Sequence, residues 1–175
     1  MLHLYYAGVI RLSNAFKERI KMEEKQNKMT LTPIGVIHSP YKSLRDCPRQ
    51  ASKSEVVAVI EVFEQYAGGL KDIEGFSHLI LLYWLHKSHG YSLLVRTPWD
   101  TELHGLFTTR SPNRPNPIGI SVVKLIERRG NILRVKGIDA IDGTPLIDIK
   151  PYVPEFNFND RDEKRIGWLT DKIKR

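Results

Sequence analysis

Two arginines and two asparagines lie in an unusual proline-rich run, residues 108–119, which reads TTRSPNRPNPIG. Its three prolines fix backbone dihedrals and reduce the conformational freedom of the unbound loop. Polar groups on such a loop, among them Arg110, Arg114 and Asn116, are held ready for a ligand. A guanidinium pairs well with a carboxylate or a phosphate. This density of donors predicts a binding loop rather than a plain turn.

A second candidate loop contains Ser-Pro-Tyr-Lys at residues 39–42, followed by Pro48, Arg49 and Gln50. The segment offers a guanidinium, an amide and a phenol within a dozen residues. Arg49 is suited to pair with a carboxylate or phosphate, while Gln50 is suited to read an amide or a base edge. A solvated loop without a ligand explains the same residues equally well.

Acidic residues mark a third segment, residues 138–145, which reads IDAIDGTP and leads into Asp148, Lys150 and Tyr152. Its aspartates are suited to accept hydrogen bonds from ribose hydroxyls or an amino group. The alternative is that Asp142 only makes an Asx turn before Gly143. Taken alone, the segment does not decide between these interpretations.

Histidines stand near both ends of a long apolar run, at His78 and His86. In a strand the two share a face but lie about 26 Å apart, so they cannot bind one zinc ion. The chain also has a single cysteine, and we expect no metal site. Phosphate-binding, dinucleotide-binding and nucleophile-elbow glycine motifs are missing from the sequence, which argues against Rossmann enzymes and hydrolases.

Short strands separated by turns must position these loops. Alternating or fully apolar patterns predict strands at residues 34–38, 56–63, 78–86, 105–109, 118–127, 132–140 and 145–151. Residues 78–86 are largely apolar at both odd and even positions, so we expect both faces of that strand to be covered. Residues 70–75 suit one helical turn, and residues 160–174 carry helical periodicity. The fold class predicted is mainly β: a barrel or curled sheet with a C-terminal helix.

Composition sets the remaining limits on fold and location. The chain has 175 residues, 41% of them hydrophobic, and one domain of this size can bury roughly 70% of its unfolded surface. The longest apolar run, residues 79–85, is far shorter than the ~20 residues of a membrane span. The lone Cys47 makes an intramolecular disulfide impossible. We therefore expect a single cytoplasmic domain without a membrane segment or secretory signal.

The net charge of +7 makes an anionic partner such as nucleic acid plausible. Residues 1–28 hold six basic and three acidic side chains, which leaves +4 for the other 147 residues. The polar composition of residues 1–28 favours an N-terminal extension that is flexible or helical. We expect the domain proper to span residues 29–175.

Five ordered motifs resemble the TsaA-like (TrmO-type) family of S-adenosylmethionine-dependent tRNA N6-methyltransferases. They are PIGVIHSPYK at residues 33–42, PRQ at 48–50, EGFSHL at 74–79, TRSPNRPNPIG at 109–119 and DGTPLIDIKPY at 142–152. The resemblance covers residues 31–154, and the proline-arginine-asparagine run is its most specific part. Residues 1–28 fall outside it.

The resemblance implies a single-sheeted β-barrel that works as a homodimer and binds S-adenosylmethionine without a Rossmann fold. The family transfers a methyl group to N6 of N6-threonylcarbamoyladenosine at position 37, in the anticodon loop of threonine tRNAs. This transfer is an in-line displacement, which needs positioning more than acid-base help. Arg110 or Arg114 is suited to clamp the carboxylate of the threonyl arm, and Asp142 to take the N6 proton.

Motif positions in the resemblance also imply which residues form the site. The nucleotide is expected to face Arg114, Asn116, Lys150 and Tyr152, and the catalytic residues to be Arg114, Asp142 and Tyr152. The cofactor pocket is expected to be lined by Pro48, Arg49, Gln50, Leu85, His86, Arg110, Ile120, Ile138, Asp139, Ala140, Ile141 and Asp142.

Two other function classes are compatible with the sequence. One is a non-catalytic regulatory module that binds S-adenosylmethionine or a related nucleoside, against which the substrate-facing Arg114 and Asn116 argue mildly. The other is a nucleic-acid-binding barrel that uses its basic surface alone. This second class predicts aromatic residues on the surface, whereas many aromatics here lie in strands that look buried or in the C-terminal tail.

Overall fold

The computed structural model of the chain describes residues 29–48, 50–51, 54–157, 165–170 and 172. Contacts divide the chain between Thr32 and Pro33, and the secondary structure described below lies in the unit Pro33–Arg175. The extension expected at residues 1–28 and the cofactor residue expected at Arg49 lie outside the described residues.

Six antiparallel strands close into a barrel in the order β1-β2-β7-β6-β3-β8. A separate two-stranded sheet pairs β4 with β5. The strand bounds are β1 (Gly35–His38), β2 (Val57–Val62), β3 (His78–Trp84), β4 (Leu94–Thr97), β5 (Asp100–Gly105), β6 (Ile118–Arg129), β7 (Ile132–Lys136) and β8 (Thr144–Pro151). The mainly β fold class is thereby confirmed, with the β4–β5 hairpin added to the expected single sheet.

Alternation along the strands builds the barrel core. In β3, Leu79, Leu81 and Tyr83 point inward and are buried, while the residues between them face outward. Leu133 and Val135 of β7 are fully buried in the same interior. A buried aliphatic side chain of this size contributes roughly 1.5–3 kcal/mol, so this inward-facing set is a main source of stability.

Strand pairing defines two ends of the barrel. Because neighbouring strands are antiparallel, the last residues of β1, β3 and β7 lie at the same end as the first residues of β2, β6 and β8. We call this the site end. The opposite end, which we call the far end, holds the first residue of β3, His78, and the last residue of β8, Pro151.

The strand predicted at residues 105–109 is wrong. Gly105 ends β5, and Leu106–Thr108 is a 3₁₀ turn. The hydroxyl groups of Thr108 and Thr109 donate to the carbonyls of Gly105 and Leu106, which favours a turn over an extended chain. The predicted helical turn at residues 70–75 corresponds to two 3₁₀ segments, Glu64–Leu70 and Ile73–Gly75.

Only one face of β3 is fully covered, contrary to the expectation from its apolar sequence. Ile80 and Leu82 on the outer face are half-buried, and Trp84 is 48% exposed. The strand therefore presents apolar side chains to the outside of the barrel, beside those of β6.

The continuous C-terminal helix predicted at residues 160–174 is also wrong where the structure describes it. Arg165 and Ile166 are not helical, and Gly167–Leu169 is a 3₁₀ turn that begins with Gly167 at φ +56°. Trp168 stacks on His104 at 3.8 Å between ring centroids, and its indole donates to the carbonyl of Thr108 at 3.1 Å. Tertiary contact with the hairpin thus overrides the local helical pattern.

A short α-helix, Pro154–Asn157, follows β8. Across the described segments, no helix has the length and apolar character needed to span a bilayer.

Candidate functional site

The proline-rich loop is fixed to the site end of the barrel by the residues that follow β3. The Leu85 amide donates to the carbonyl of Pro117 at 2.8 Å, and the Ser88 hydroxyl donates to the carbonyl of Pro112 at 2.9 Å. These two bonds lie on either side of Arg114 and Asn116 and hold that part of the loop against the segment that carries His86. Two of the sequence-predicted segments are therefore adjacent.

The acidic segment is fixed to the loop after β1. The Ser39 hydroxyl donates to the carbonyl of Ala140 at 2.7 Å, and the Asp142 amide donates to the carbonyl of Tyr41 at 2.7 Å. The segment leaves β7 at Gly137, whose φ of +94° is one that glycine tolerates best. This turn ends β7 earlier than the sequence pattern predicts, and it frees residues 138–142 from the sheet ladder.

Asp142 is an anchor of this contact between loops. Its carboxylate accepts hydrogen bonds from the Lys42 ammonium at 2.8 Å and from the Ser39 amide at 3.1 Å. The Lys42 hydrogen bond is the main cause that lowers the pKa of Asp142, with smaller contributions from the Ser39 amide and the charges of Lys42 and His38. A carboxylate of lowered pKa is a weaker base, so this geometry favours a structural over a proton-accepting role for Asp142.

We expect Asp142→Asn to lower the melting temperature at pH 7 by about 1–3 °C, because it loses the charge pair with Lys42. The folded pKa lies below the unfolded value of about 3.9, so the stabilisation is present above that pH and disappears as the pH falls through the folded pKa. Thermal unfolding of both proteins from pH 7 to pH 3 tests this. A difference that stays constant down to pH 3 would contradict the assignment.

Asp139 connects the acidic segment to the barrel interior. Its Oδ1 accepts hydrogen bonds from the Tyr83 hydroxyl at 2.8 Å and from the Ser121 hydroxyl at 2.5 Å. Burial raises the pKa of Tyr83, and the charge of Asp139 raises it further, so the phenol stays protonated. This contact places Asp139 at the site end, beside the strands that lead to the proline-rich loop.

The loop with Pro48 and Gln50 lies close to the same place. Burial raises the pKa of Cys47 to about 11, and the charge of Asp139 is the next cause, followed by that of Asp46. The thiol is therefore protonated at neutral pH. A Cβ placed on Gly137 would lie 3.7 Å from the carbonyl oxygen of Ala51, so the chain after Gln50 passes beside the start of the acidic segment.

His86 carries a polar atom that the described residues leave unsatisfied. Its Nδ1 is buried and has no hydrogen-bond partner there. Its ring contacts Trp84 edge-on, with 6.4 Å between centroids. A buried ring nitrogen without a partner is costly, and beside the proline-rich loop it indicates a place where a ligand completes the hydrogen bonding.

The two arginines of the proline-rich loop are available to bind an anion. In the described part of the chain, neither Arg110 nor Arg114 forms an ion pair with a carboxylate. Arg110 is exposed and Arg114 is half-buried. The Thr109 hydroxyl accepts the Ser111 amide at 3.3 Å, which orders the backbone on both sides of Arg110.

Lys150 and Tyr152 do not join this cluster within one chain. Lys150 pairs in register with Ile80, and the Tyr152 amide donates to the carbonyl of His78 at 3.1 Å, which places both near the far end. Some five to seven strand residues separate them from Leu85, a span of roughly 16–23 Å. Ile120 also lies away from the cluster, because it is on the outer face of β6, where it is 55% exposed.

Tyr83 and Ser121 are site residues that the sequence analysis missed. Both occur at inward-facing positions of strands, where their hydroxyl groups need a partner once buried. A polar residue at an inward-facing strand position was the sign in the sequence that could have identified them. The sequence does not show, however, that their partner is Asp139. Of the predicted residues, the site end brings together Pro48, Gln50, Leu85, His86, Arg110, Arg114, Asn116, Ile138, Asp139, Ala140, Ile141 and Asp142.

Comparisons with known proteins show which proteins this chain resembles. The chain is 55% identical to a probable S-adenosyl-L-methionine-binding protein of Pyrococcus abyssi, over 81% of this chain and 76% of that protein. It is 41% identical to the tRNA (adenine(37)-N6)-methyltransferase of Escherichia coli, over 69% of this chain but only 56% of the enzyme. The crystal structure of TrmO from Pseudomonas aeruginosa superposes with a TM-score of 0.66 at 34% identity, over 81% of this chain and 64% of that one.

Residues 36–158 match the family described as the tRNA-methyltransferase O N-terminal domain. This match includes the whole barrel except the first residue of β1, and it includes all the loops that meet at the site end. The chain belongs to the tRNA-methyltransferase O N-terminal domain family.

Proposed function

We propose that the chain is an S-adenosylmethionine-dependent methyltransferase that acts on N6 of N6-threonylcarbamoyladenosine at position 37 of tRNA. The observation that carries the proposal is that the proline-rich loop lies at the same end of the barrel as Asp139 and His86, and that its two arginines form no ion pair among the described residues. The E. coli relative, of which the chain spans 56%, is named for methylation of adenine 37. The proposed substrate also suggests the cytoplasm as the location of this chain.

The residues at the site end fit the polar groups of S-adenosylmethionine. The Nδ1 of His86, which has no partner among the described residues, and the carboxylate of Asp139 offer hydrogen bonds to its polar groups, and Gln50 of the neighbouring loop carries an amide. Its sulfonium supplies the electrophilic methyl group. The chain has only to hold donor and acceptor in line, because such a displacement depends mainly on proximity and orientation.

The arginines would supply the recognition of the modified base. Arg110 and Arg114 each present a planar fork of donors, which matches a carboxylate such as that of the threonyl arm, or a tRNA phosphate. The loop that holds them contains three prolines, and two hydrogen bonds fix it to the segment after β3. This rigidity reduces the ordering cost when the anion binds.

We further propose that the chain acts as a homodimer through the outer face of β3 and β6. This face carries Ile80, Leu82, Trp84, Ile120 and Val122, without a charged residue between them. In an isologous dimer with this face at its centre, the far end of one protomer can approach the site end of its partner. Such a dimer would bring Lys150 and Tyr152 to a nucleotide in the partner's site, and it would explain the outward position of Ile120.

Val122→Lys tests the dimer. Val122 is 43% exposed on the proposed interface, so a lysine there adds two buried charges per dimer, and we expect a monomer in light scattering and at least tenfold slower tRNA methylation. Val57→Lys is the matched control, since Val57 is also 43% exposed but lies on β2. A Val122→Lys protein with the mass and activity of the wild type would show that this face is not the interface.

The function itself is tested with labelled S-adenosylmethionine and purified threonine tRNA. One tRNA sample carries the threonylcarbamoyl group and the other lacks it. We expect label to enter only the modified tRNA, at N6 of the adenosine. Cofactor binding without any transfer would overturn the enzyme assignment in favour of a regulatory module, and equal labelling of both samples would overturn the proposed substrate.

A further inference from the structure

We propose that Tyr83 and Ser121 form a clamp that positions the carboxylate of Asp139 for a hydrogen-bond donor of S-adenosylmethionine. This inference rests on the proposed function, and it adds two positioning residues that lie inside the barrel rather than in the loops. Tyr83 OH and Ser121 Oγ lie 2.8 Å from each other, and both contact the same oxygen of Asp139. Side chains from β3, from β6 and from the segment after β7 therefore meet at Oδ1 of Asp139.

Burial makes the clamp rigid. Tyr83 and Ser121 are each only 3% exposed, and both belong to strands of the closed barrel. Asp139, by contrast, lies in an irregular segment after β7 and is partly exposed. A side chain in such a segment needs support from the packed core to keep one orientation, and these two hydroxyl groups give that support.

The strand register shows how the phenol reaches its partner. Tyr83 of β3 lies opposite Gly119 of β6, and Ser121 lies opposite Leu81. A Cβ on Gly119 would lie 2.1 Å from Cε2 of the Tyr83 ring, so the ring occupies the space that a side chain would fill. The ring can therefore lie across β6 and bring its hydroxyl to Ser121 and Asp139.

The clamp leaves one oxygen of Asp139 free. Oδ1 accepts both hydroxyl groups, whereas Oδ2 has no hydrogen-bond partner among the residues that the structure describes. A carboxylate whose Oδ1 is fixed by two hydroxyl groups presents its Oδ2 to a donor in a defined orientation. On S-adenosylmethionine, the donors of matching chemistry are the ammonium group and the ribose hydroxyls.

The experiment measures ligand binding by titration calorimetry in the absence of tRNA. The variants are Tyr83→Phe, Ser121→Ala and Asp139→Asn, together with the two double variants that combine Asp139→Asn with each hydroxyl loss. We expect each single variant to weaken S-adenosylmethionine binding about tenfold, as a misplaced hydrogen bond to a charged group would. In the Asp139→Asn background, loss of either hydroxyl should add less than about twofold, because the hydroxyl groups act through the carboxylate.

Two controls separate positioning from general stability. Tyr66→Phe removes a phenol near the far end, in the 3₁₀ segment Glu64–Leu70, and should leave the affinity unchanged. Ser121→Thr keeps the hydroxyl and should bind more tightly than Ser121→Ala. If Tyr83→Phe does not fold, the affinity of Ser121→Ala, which removes a single oxygen, is compared with that of the wild type instead.

A second ligand identifies the group that Asp139 contacts. Methylthioadenosine keeps the ribose but lacks the amino-acid arm. Equal losses of affinity for both ligands would assign the contact to ribose, and a loss for S-adenosylmethionine alone would assign it to the ammonium group; both outcomes support the clamp.

Wild-type affinity in Tyr83→Phe and Ser121→Ala, or full additivity with Asp139→Asn, would overturn the clamp. A wild type that binds the cofactor but methylates no tRNA would overturn the proposed reaction and leave this binding test intact.

Discussion

Arg110→Ala is expected to reduce tRNA methylation by at least about 100-fold, with little change in thermal stability. The residue is exposed and unpaired in the described structure, and the hydroxyl group of Thr109 orders the loop backbone around it without help from the guanidinium. Loss of a bidentate, charge-assisted contact with an anion removes about 3 kcal/mol of binding or transition-state energy, which corresponds to this factor. Single-turnover methylation and the Kd for S-adenosylmethionine together show which step depends on Arg110.

Two further variants make the test specific. Arg110→Lys keeps the charge but loses the planar fork, so we expect it to fall between Arg110→Ala and the wild type. Arg129→Ala removes an exposed arginine at the far end, where its partner is Glu127, and should methylate tRNA at the wild-type rate. Full activity of Arg110→Ala would show that the proline-rich loop binds its anion through another residue.

Gly119→Ala is expected to have the largest effect on stability. The new Cβ would lie 2.1–2.7 Å from three ring atoms of Tyr83, so the ring must move out of its place in the core. Overpacking of this kind costs typically 1–3 kcal/mol, and loss of the buried hydrogen bonds to Ser121 and Asp139 adds about 1 kcal/mol or more. We expect the melting temperature to fall by roughly 5–12 °C.

Gly75→Ala is the matched control, because a Cβ at Gly75 meets nothing within 4 Å. Its melting temperature should stay within about 2 °C of the wild type. The double variant Gly119→Ala/Tyr83→Leu removes the ring that clashes and should recover part of the lost stability, although not the hydrogen bond to Asp139. An unchanged melting temperature in Gly119→Ala would mean that Tyr83 does not lie over β6 as described.

The sequence predicted six strands of the barrel because their signal is local. Alternation of apolar residues in strands such as β2 and β6 depends only on neighbouring positions, and it matches the observed burial. The β4–β5 hairpin was not predicted because neither strand has a buried residue, and its apolar residues, including Leu94 and Leu103, are exposed, so a search for a buried apolar face does not find it. The prediction of a C-terminal helix was wrong because Trp168 stacks on His104, which is distant in the sequence. Local periodicity carries no information about such a contact.

The loops that carry the candidate site were also recognisable from residue types alone. Prolines beside Arg110 and Arg114 indicate a rigid loop with anion-binding groups, whatever fold surrounds it. Sequence spacing cannot show which loops meet, since that depends on barrel closure and on the antiparallel register of all six strands. The register brings Asp139 to the site end and leaves Lys150 and Tyr152 near the far end, although all three stand within fourteen residues of one another.

The sequence by itself thus determined the β-rich architecture, the binding character of the proline-rich loop and the family resemblance. Only the tertiary structure decided the environment of each carboxylate. Asp139 and Asp142 are three residues apart and look alike in the sequence, but Lys42 pairs with Asp142, whereas Asp139 contacts Tyr83 and Ser121 through Oδ1 and has no partner for Oδ2 in the described part of the chain. Their difference arises from partners distant in the chain, because hydrogen bonds and charges act through space and not along the sequence.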